Sequence, residues 1–348
     1  MTMNGIPAID ADGHIYELQE EIRNYLDKEW RGRSTPLWPS GYPWDTKLRG
    51  TLKPPMNYTR GLSAKKQVDI WHRVLDNYEI QHAVLFPTGA ANVDKLQEMG
   101  FAQSVMRAIN DHFAADFQTD RLHPMATLTL KDPQAAAREI ERGTRQLGLK
   151  GYVILPDGRP HGLGHRFYDP VYEAAEACGA ALCVHGSRIY AQEWGGDKLA
   201  SFSEVHSYAF LAGVLANFTS MLCQGVPVRF PKLKLAFLEI GATWLPYYLD
   251  RLDEHWEKRA EEDMPLLKEK PSAIFKKSGI KISIEGKESL LRPTIDYVGA
   301  GHLVYATDIP HWDGEFPGNL EELRSTNDLT AAEKKAILRD NAAALFGF

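Results

Sequence analysis

The chain has 348 residues, of which 44% are hydrophobic and 25% charged, a globular make-up that excludes disorder, collagen-like repeats and coiled coils. With 40 basic against 46 acidic residues, the formal charge is −6 and spread along the chain, so the net-basic surface of a general nucleic-acid binder is excluded. The opening MTMNGIPAIDADGHIYE has acids where a signal peptide needs a basic start and an apolar run. No apolar stretch approaches the roughly 20 residues of a membrane span, and Cys178, Cys183 and Cys223 form no CxxC. A reduced, cytoplasmic chain with no membrane or nucleic-acid partner is the expectation.

Short apolar runs rich in β-branched residues alternate with helical patterns. The run Ile6–Ile9 leads into Asp10-Ala11-Asp12-Gly13-His14. Ala83–Phe86 follows a helical stretch over 63–78, Pro124–Leu130 one over 101–117, and Gly151–Leu155 one over 132–147. Ala180–Val184 comes after 169–177, Leu233–Leu238 after 208–224, Ile280–Ile284 after 242–259, and Leu303–Ala306 after 288–298. A helix over 331–345 closes the chain. Repeated βαβ units with nearly continuous apolar strands predict a parallel sheet covered on both faces. The fold class is α/β, and eight such units most simply close into a (β/α)8 TIM barrel. An open doubly wound sheet is the competitor, but the first βα turn has no GxGxxG.

The chain 1–348 reads as one barrel domain with an aromatic-rich loop insertion after strand one. That insertion, 24–62, holds Trp30, Trp38, Tyr42, Trp44 and Tyr58 and is stiffened by Pro36, Pro39, Pro43, Pro54 and Pro55, so it reads as a lid over one barrel end. A second long connection, 186–207, carries Trp194 and His206.

In a barrel the C-terminal strand ends converge on one mouth. Those positions are Asp10, Asp12 and His14; His185; Glu239; Glu285; and Asp308 with His311. Asp12 and His14 are two apart and share a face of an extended strand, with Ala11 and Gly13 pointing away. Carboxylates and imidazoles gathered at one rim repel or stay protonated unless a cation neutralises them, so a metal site is the economical reading. His206, ahead of a helix, is placed at the mouth. His161 and His165 in a Gly-rich loop and His255 on a charged helical face read as solvated. His72, His82, His112 and His123 read as structural. No GxSxG is present, and no cysteine lies beside a histidine at a strand end, which disfavours Ser/His/Asp and Cys/His catalysis.

The stretches IDADGH, ALCVHG, FPKLKLAFLEIG and VYATDIPHWD, in that order between Ile9 and Asp313, resemble the amidohydrolase-related metal enzymes, in the branch of aminocarboxymuconate-semialdehyde decarboxylase and the resorcylate decarboxylases. The resemblance implies a (β/α)8 barrel. It implies that Asp12 and His14 form the first-strand ligand pair, that His185 and Asp308 are the fifth- and eighth-strand ligands, and that His311 belongs to the usual ending. At strand six these decarboxylases carry a His used in the chemistry, and here Glu239 stands instead. Glu239 is thus either a proton-moving group or a ligand to one or two ions.

With one divalent ion, Glu239, Asp308 and His206 are the catalytic candidates, for hydrolysis or non-oxidative decarboxylation of a small carboxylated or aromatic compound. With two ions shared among Glu239, His311 and Glu285, an oxygenase like 2-aminoisobutyrate hydroxylase is the alternative, and a structural metal-binding subunit is a third. The hard ligand set suits Mn or Fe over Zn, with Zn retained. Arg49, Arg60 or Arg188 are candidates to clamp a substrate carboxylate. The family implies a homodimer, or a hetero-oligomer with a related subunit.

Overall fold

The computed structural model describes residues 5–39, 61–187, 191–284, 288–311 and 313–348. Its strands are β1 (Ala8–Ile15), β2 (Ile80–Pro87), β3 (Leu122–Pro124), β4 (Ala126–Thr127), β5 (Gly151–Ile154), β6 (Ala181–His185), β7 (Lys234–Leu238), β8 (Lys281–Ile284) and β9 (Leu303–Tyr305). All neighbours pair in parallel, as β1-β2-β3 and as β4 through β9 in chain order. Only Met125 separates β3 from β4, and its N–H donates to the Leu85 carbonyl at 2.9 Å, so these two short strands fill a single position. At the other end, Asp308 N donates to Asp12 O at 2.8 Å and His14 N to Ile309 O at 2.6 Å, which seats the last strand beside the first. Eight strand positions with intervening helices make the (β/α)8 barrel.

Each strand buries both faces with a period of two. Ile9, Val84, Phe86, Val153, Leu155, Cys183, Ala236, Leu238 and Val304 form the inner cluster. Tyr152, Ile154, Leu182, Val184, Leu235, Phe237, Ile282 and Tyr305 belong to the outer one, beneath helices that contribute Trp71, Ile140, Phe218 and Ile295. Ala342, Leu345 and Phe346 of the last helix join the inner cluster, while Phe348 stacks on His82 and lies against His123 near the strand starts. That end is therefore plugged.

Three expectations are revised. Ala11 packs in the inner cluster and does not point away, because the β1–β2 register slips between Asp10 and Gly13. The bulge breaks the strand's alternation, and Gly13 faces outward, where a Cβ would strike Trp71. The helix expected to begin near Tyr208 begins at Phe202, nucleated by a capping box between Ser201 and Glu204, so His206 sits on the helix and not ahead of it. That helix, Phe202–Cys223, is also long and apolar enough to cross a membrane, contrary to the sequence reading. Here it is a layer of the barrel: Val214, Phe218 and Leu222 are buried, and Asn217 bonds Leu163 N and Pro156 O.

Of the insertion, Trp30 packs on Phe101 at 5.5 Å, and Leu37 and Trp38 are buried. Residues 40–60, with Tyr42, Trp44, Arg49, Tyr58 and Arg60, lie outside the described residues.

A Cβ at Gly151 would come 2.8 Å from the Ala181 carbonyl oxygen on the neighbouring strand. Since this atom is backbone within a paired ladder, Gly151→Ala is expected to destabilise the fold by about 1–3 kcal/mol, read as a lower urea midpoint at unchanged m-value.

Candidate metal centre

β1 delivers Asp12 and His14, both buried, to the seam where first and last strands meet. β6 ends on His185, also buried. Glu239 follows β7 and Asp308 follows β9, each with positive φ, 66° and 54°. Non-glycine residues rarely occupy that region, and here it swings two carboxylates off their strand lines. Glu239 N is held by the Ser283 hydroxyl at 2.9 Å, and Asp308 N by Asp12 O. Behind the seam, Asp10 accepts from Thr307 N and Oγ1 at 3.0 and 2.6 Å, and burial pushes its carboxyl up to about 7. Asp10 is thus a structural brace.

The donor atoms converge. His14 Nε2 lies 3.5 Å from Asp12 Oδ1 and 3.3 Å from Asp308 Oδ1. His185 Nε2 lies 3.3 Å from Asp12 Oδ1, and its Nδ1 lies 3.2 Å from Glu239 Oε2. His311 Nδ1 bonds Asp308 Oδ1 at 2.7 Å and stands 3.7 Å from Glu239 Oε1. Asp12 Oδ1, His14 Nε2, His185 Nε2 and Glu239 Oε2 are nonetheless buried without hydrogen-bond partners. Ligand atoms about 2.0–2.2 Å from one ion stand roughly 3–3.5 Å apart, so a cation among Asp12, His14 and His185 would satisfy their orphaned atoms. Two overlapping ligand groups are formed: Asp12, His14 and His185, and His14, Glu239, Asp308 and His311.

The electrostatics make the same demand. Burial opposes charge on His185, but Glu239 and Asp12 outweigh it and raise the imidazole to about 10. His311 also rises well above its ordinary value despite burial, through Asp308 and Glu239. Asp308, half-buried, is held well below the usual carboxylate range by His311 and His14. Glu239 is raised, chiefly by burial, and His14 is lowered to about 4 by burial and the neighbouring His311 charge. The cluster thus calls for positive charge, which a divalent cation would supply.

A cavity of about 230 Å³ adjoins the cluster, lined by Glu239, Ile240, Thr307, Asp308, His206 and Phe210, among others. His206 stacks on Phe210 with centroids 4.4 Å apart, and its Nε2 is 3.5 Å from Asp313. All six expected ligands therefore come together, and His206 stands at the cavity wall. Glu285 and Arg188 lie outside the described residues. His161 and His165 stack on each other at 4.1 Å away from this cluster, His255 caps Arg251 O, and His82 pairs with His123 at 3.1 Å, as solvated or structural roles require. Sequence reasoning missed Thr88, whose hydroxyl is 3.5 Å from His311 Nε2. A lone threonine after a strand carries no signal that would have found it.

The sequence profile of the family described as amidohydrolase matches residues 9–348. The chain is 23% identical over 249 residues to 2-amino-3-carboxymuconate-6-semialdehyde decarboxylase of Dictyostelium discoideum, covering 71% of this chain and 67% of that protein. Among solved structures, 5-carboxyvanillate decarboxylase from Sphingomonas paucimobilis superposes with a TM-score of 0.73 at 23% identity, over 98% of this chain and 99% of the other. Dihydroxybenzoic acid decarboxylase from Polaromonas sp. JS666, solved with manganese and 2-nitroresorcinol, gives 0.71 at 20% identity, over 99% and 97%.

Ligand binding to the folded state alone raises stability, by about 2.7 kcal/mol at a hundredfold excess over Kd. Adding Mn²⁺ to chelator-stripped protein is accordingly expected to raise the melting temperature, and Asp12→Ala and His185→Ala should abolish that rise. An equal rise in both variants would remove them from the centre.

Proposed function

The chain belongs to the amidohydrolase family, and from that membership and the geometry of its centre we propose a metal-dependent carboxy-lyase that removes CO2 from a small aromatic or otherwise carboxylated compound without oxidation. The observation that carries this reading is the set of unpartnered donor atoms on Asp12, His14 and His185 beside Asp308, next to a cavity of about 230 Å³. The decarboxylases similar to it support the reaction class.

Asp12, His14, His185 and Asp308 would hold one divalent ion, with Mn favoured by the carboxylate share of the set. When bound, that ion would orient the carboxylated substrate and offset its negative charge as a Lewis acid. The remaining work belongs to side chains. Phe210 and Ile240 present apolar wall to a ring, and the stacked, Asp313-paired His206 supplies a polar edge. Glu239 stands at the boundary between cluster and cavity. It delivers a proton to the substrate carbon bearing the carboxylate; the C–C bond then breaks, CO2 departs, and the bonding pair returns to the substrate. Glu239 is reprotonated from solvent. The proposed protein acts in the cytoplasm, where the thiols of Cys178, Cys183 and Cys223 stay free.

A second reading is favoured by one observation: Glu239 and His311 complete a further four-residue ligand group with His14 and Asp308. Two Fe or Mn ions there would make the protein an oxygenase.

Elemental analysis of protein purified without added metal separates the two. About one divalent ion per chain, together with CO2 release from a benzoate or muconate panel under argon, supports the carboxy-lyase. Near two Fe or Mn per chain with O2-dependent turnover would replace it. Glu239→Gln is expected to keep the metal and lower turnover about 10²–10⁴-fold, the usual share of a positioned acid or base. Loss of metal in that variant would make Glu239 a ligand.

A further inference from the structure

A second polar group is buried after the strand ends of the same barrel, on residues that the metal centre does not use. Asp94 and Lys95 end the short helix that follows β2, Thr129 and Leu130 follow β4, and Asp157 and Arg159 follow β5. The side chains of Arg159, Asp94, Lys95 and Asp157 are 3%, 5%, 1% and 0% exposed. Lys95 Nζ pairs with the Asp157 carboxylate and donates to Asp157 O at 3.0 Å. Asp94 Oδ1 accepts from Leu130 N at 2.7 Å, and its Oδ2 from Arg159 Nη1 at 3.3 Å.

That last contact is the only hydrogen bond of the Arg159 side chain among the described residues. Its Nε and Nη2 are buried with no partner, as are the Thr129 hydroxyl, next in sequence to the Leu130 amide, and Asn92 Oδ1, two residues before Asp94. Leaving charged donors buried and unsatisfied is costly, and native structures rarely do so without an ion, a water or a ligand. Nε and Nη2 form one edge of the planar guanidinium, the edge that accepts the two oxygens of a carboxylate side by side.

Charges of both signs frame that edge. Asp94 and Asp157 face Lys95, Arg159 and Lys131, whose Nζ is held by Leu96 O at 2.9 Å and which feels the charge of Asp94. The Glu193 carboxylate, which accepts from Gly158 N at 2.9 and 3.1 Å, also borders this group, so the case for a guest rests on the unpartnered guanidinium edge.

We propose that the Nε/Nη2 edge of Arg159, braced by Asp94, is a binding site for the carboxylate of a small organic acid, separate from the metal centre. The site goes beyond the carboxy-lyase reading and stands or falls without it, because it is occupied in the absence of metal.

The test is calorimetric titration of the full chain, stripped of metal with a chelator, using sodium acetate and sodium benzoate, with sodium chloride as reference. Saturable binding of a carboxylate at one per chain, weakened at least about tenfold by Arg159→Gln, is the expected result. Arg159→Lys keeps the charge and loses the planar fork, so it should fall between wild type and Gln; it also carries the test if the Gln variant does not fold. Benzoate preferred over acetate would indicate an aromatic acid, and the reverse an aliphatic one; either supports the site. Three results would overturn it: no saturable binding, which leaves only water on the guanidinium; equal binding of chloride; or carboxylate binding that needs added Mn²⁺, which would assign the carboxylate to the metal centre.

Discussion

The constraint from which the rest follows is charge neutralisation at the barrel seam. Asp12, His14 and His185 are drawn out of water beside the half-buried Asp308, Glu239 and His311, and Asp12, His14, His185 and Glu239 each keep a buried polar atom without a hydrogen-bond partner. Removing carboxylates from water costs several kcal/mol each unless opposite charge accompanies them. A divalent cation meets that need with ligand geometry already in place. The backbone bonds that join the last strand to the first, Asp308 N to Asp12 O and His14 N to Ile309 O, involve three residues of the centre. Closing the barrel and assembling the site are therefore one structural event.

Backbone strain is concentrated at the same place. Glu239 and Asp308 hold left-handed φ, at a cost of about 1–3 kcal/mol each for residues with a Cβ. Both are tied down by bonds from adjacent strands, Glu239 through Ser283 and Asp308 through Asp12, so the sheet over-determines them. In exchange, their carboxylates leave the strand direction and face the imidazoles. The inner and outer apolar clusters supply the rigidity that makes such a fixed posture possible.

Much of this was legible because parallel barrel strands announce themselves. Buried on both faces, runs such as ALCV and KLAFL show β-branched and apolar residues without gaps, and polar residues at their C-terminal ends have few places to go but the mouth. Asp12, His185 and Asp308 were readable for that reason. What was not legible depended on geometry finer than a period of two. The slip between Asp10 and Gly13 turned Ala11 inward, and a Ser201–Glu204 capping box started a helix several residues early, because each is decided by local hydrogen bonding that hydrophobic patterning does not carry. Asp94, Lys95, Asp157 and Arg159 were invisible for a different reason: isolated charges on loops look solvated until tertiary packing encloses them.

The substitution of Glu for an expected His at the end of β7 gains its meaning from the ring it faces. His185 directs Nε2 toward Asp12 and presents Nδ1 to both Glu239 Oε2 and the Gly186 carbonyl at 3.0 Å. A carboxylate behind the distal nitrogen keeps the proton on Nδ1, frees Nε2 as a ligand and raises its basicity, which an imidazole in the same place does less well. The adjacent Gly186 is where such closeness is possible, since a Cβ there would stand 2.8 Å from Glu239 Oε2. Glu239 thus has a physical role toward His185 whether the centre holds one ion or two. Its second oxygen, turned toward His311, is the part of the molecule in which the two chemistries differ: with one ion it is available to carry a proton into the cavity, and with two it is committed to the second.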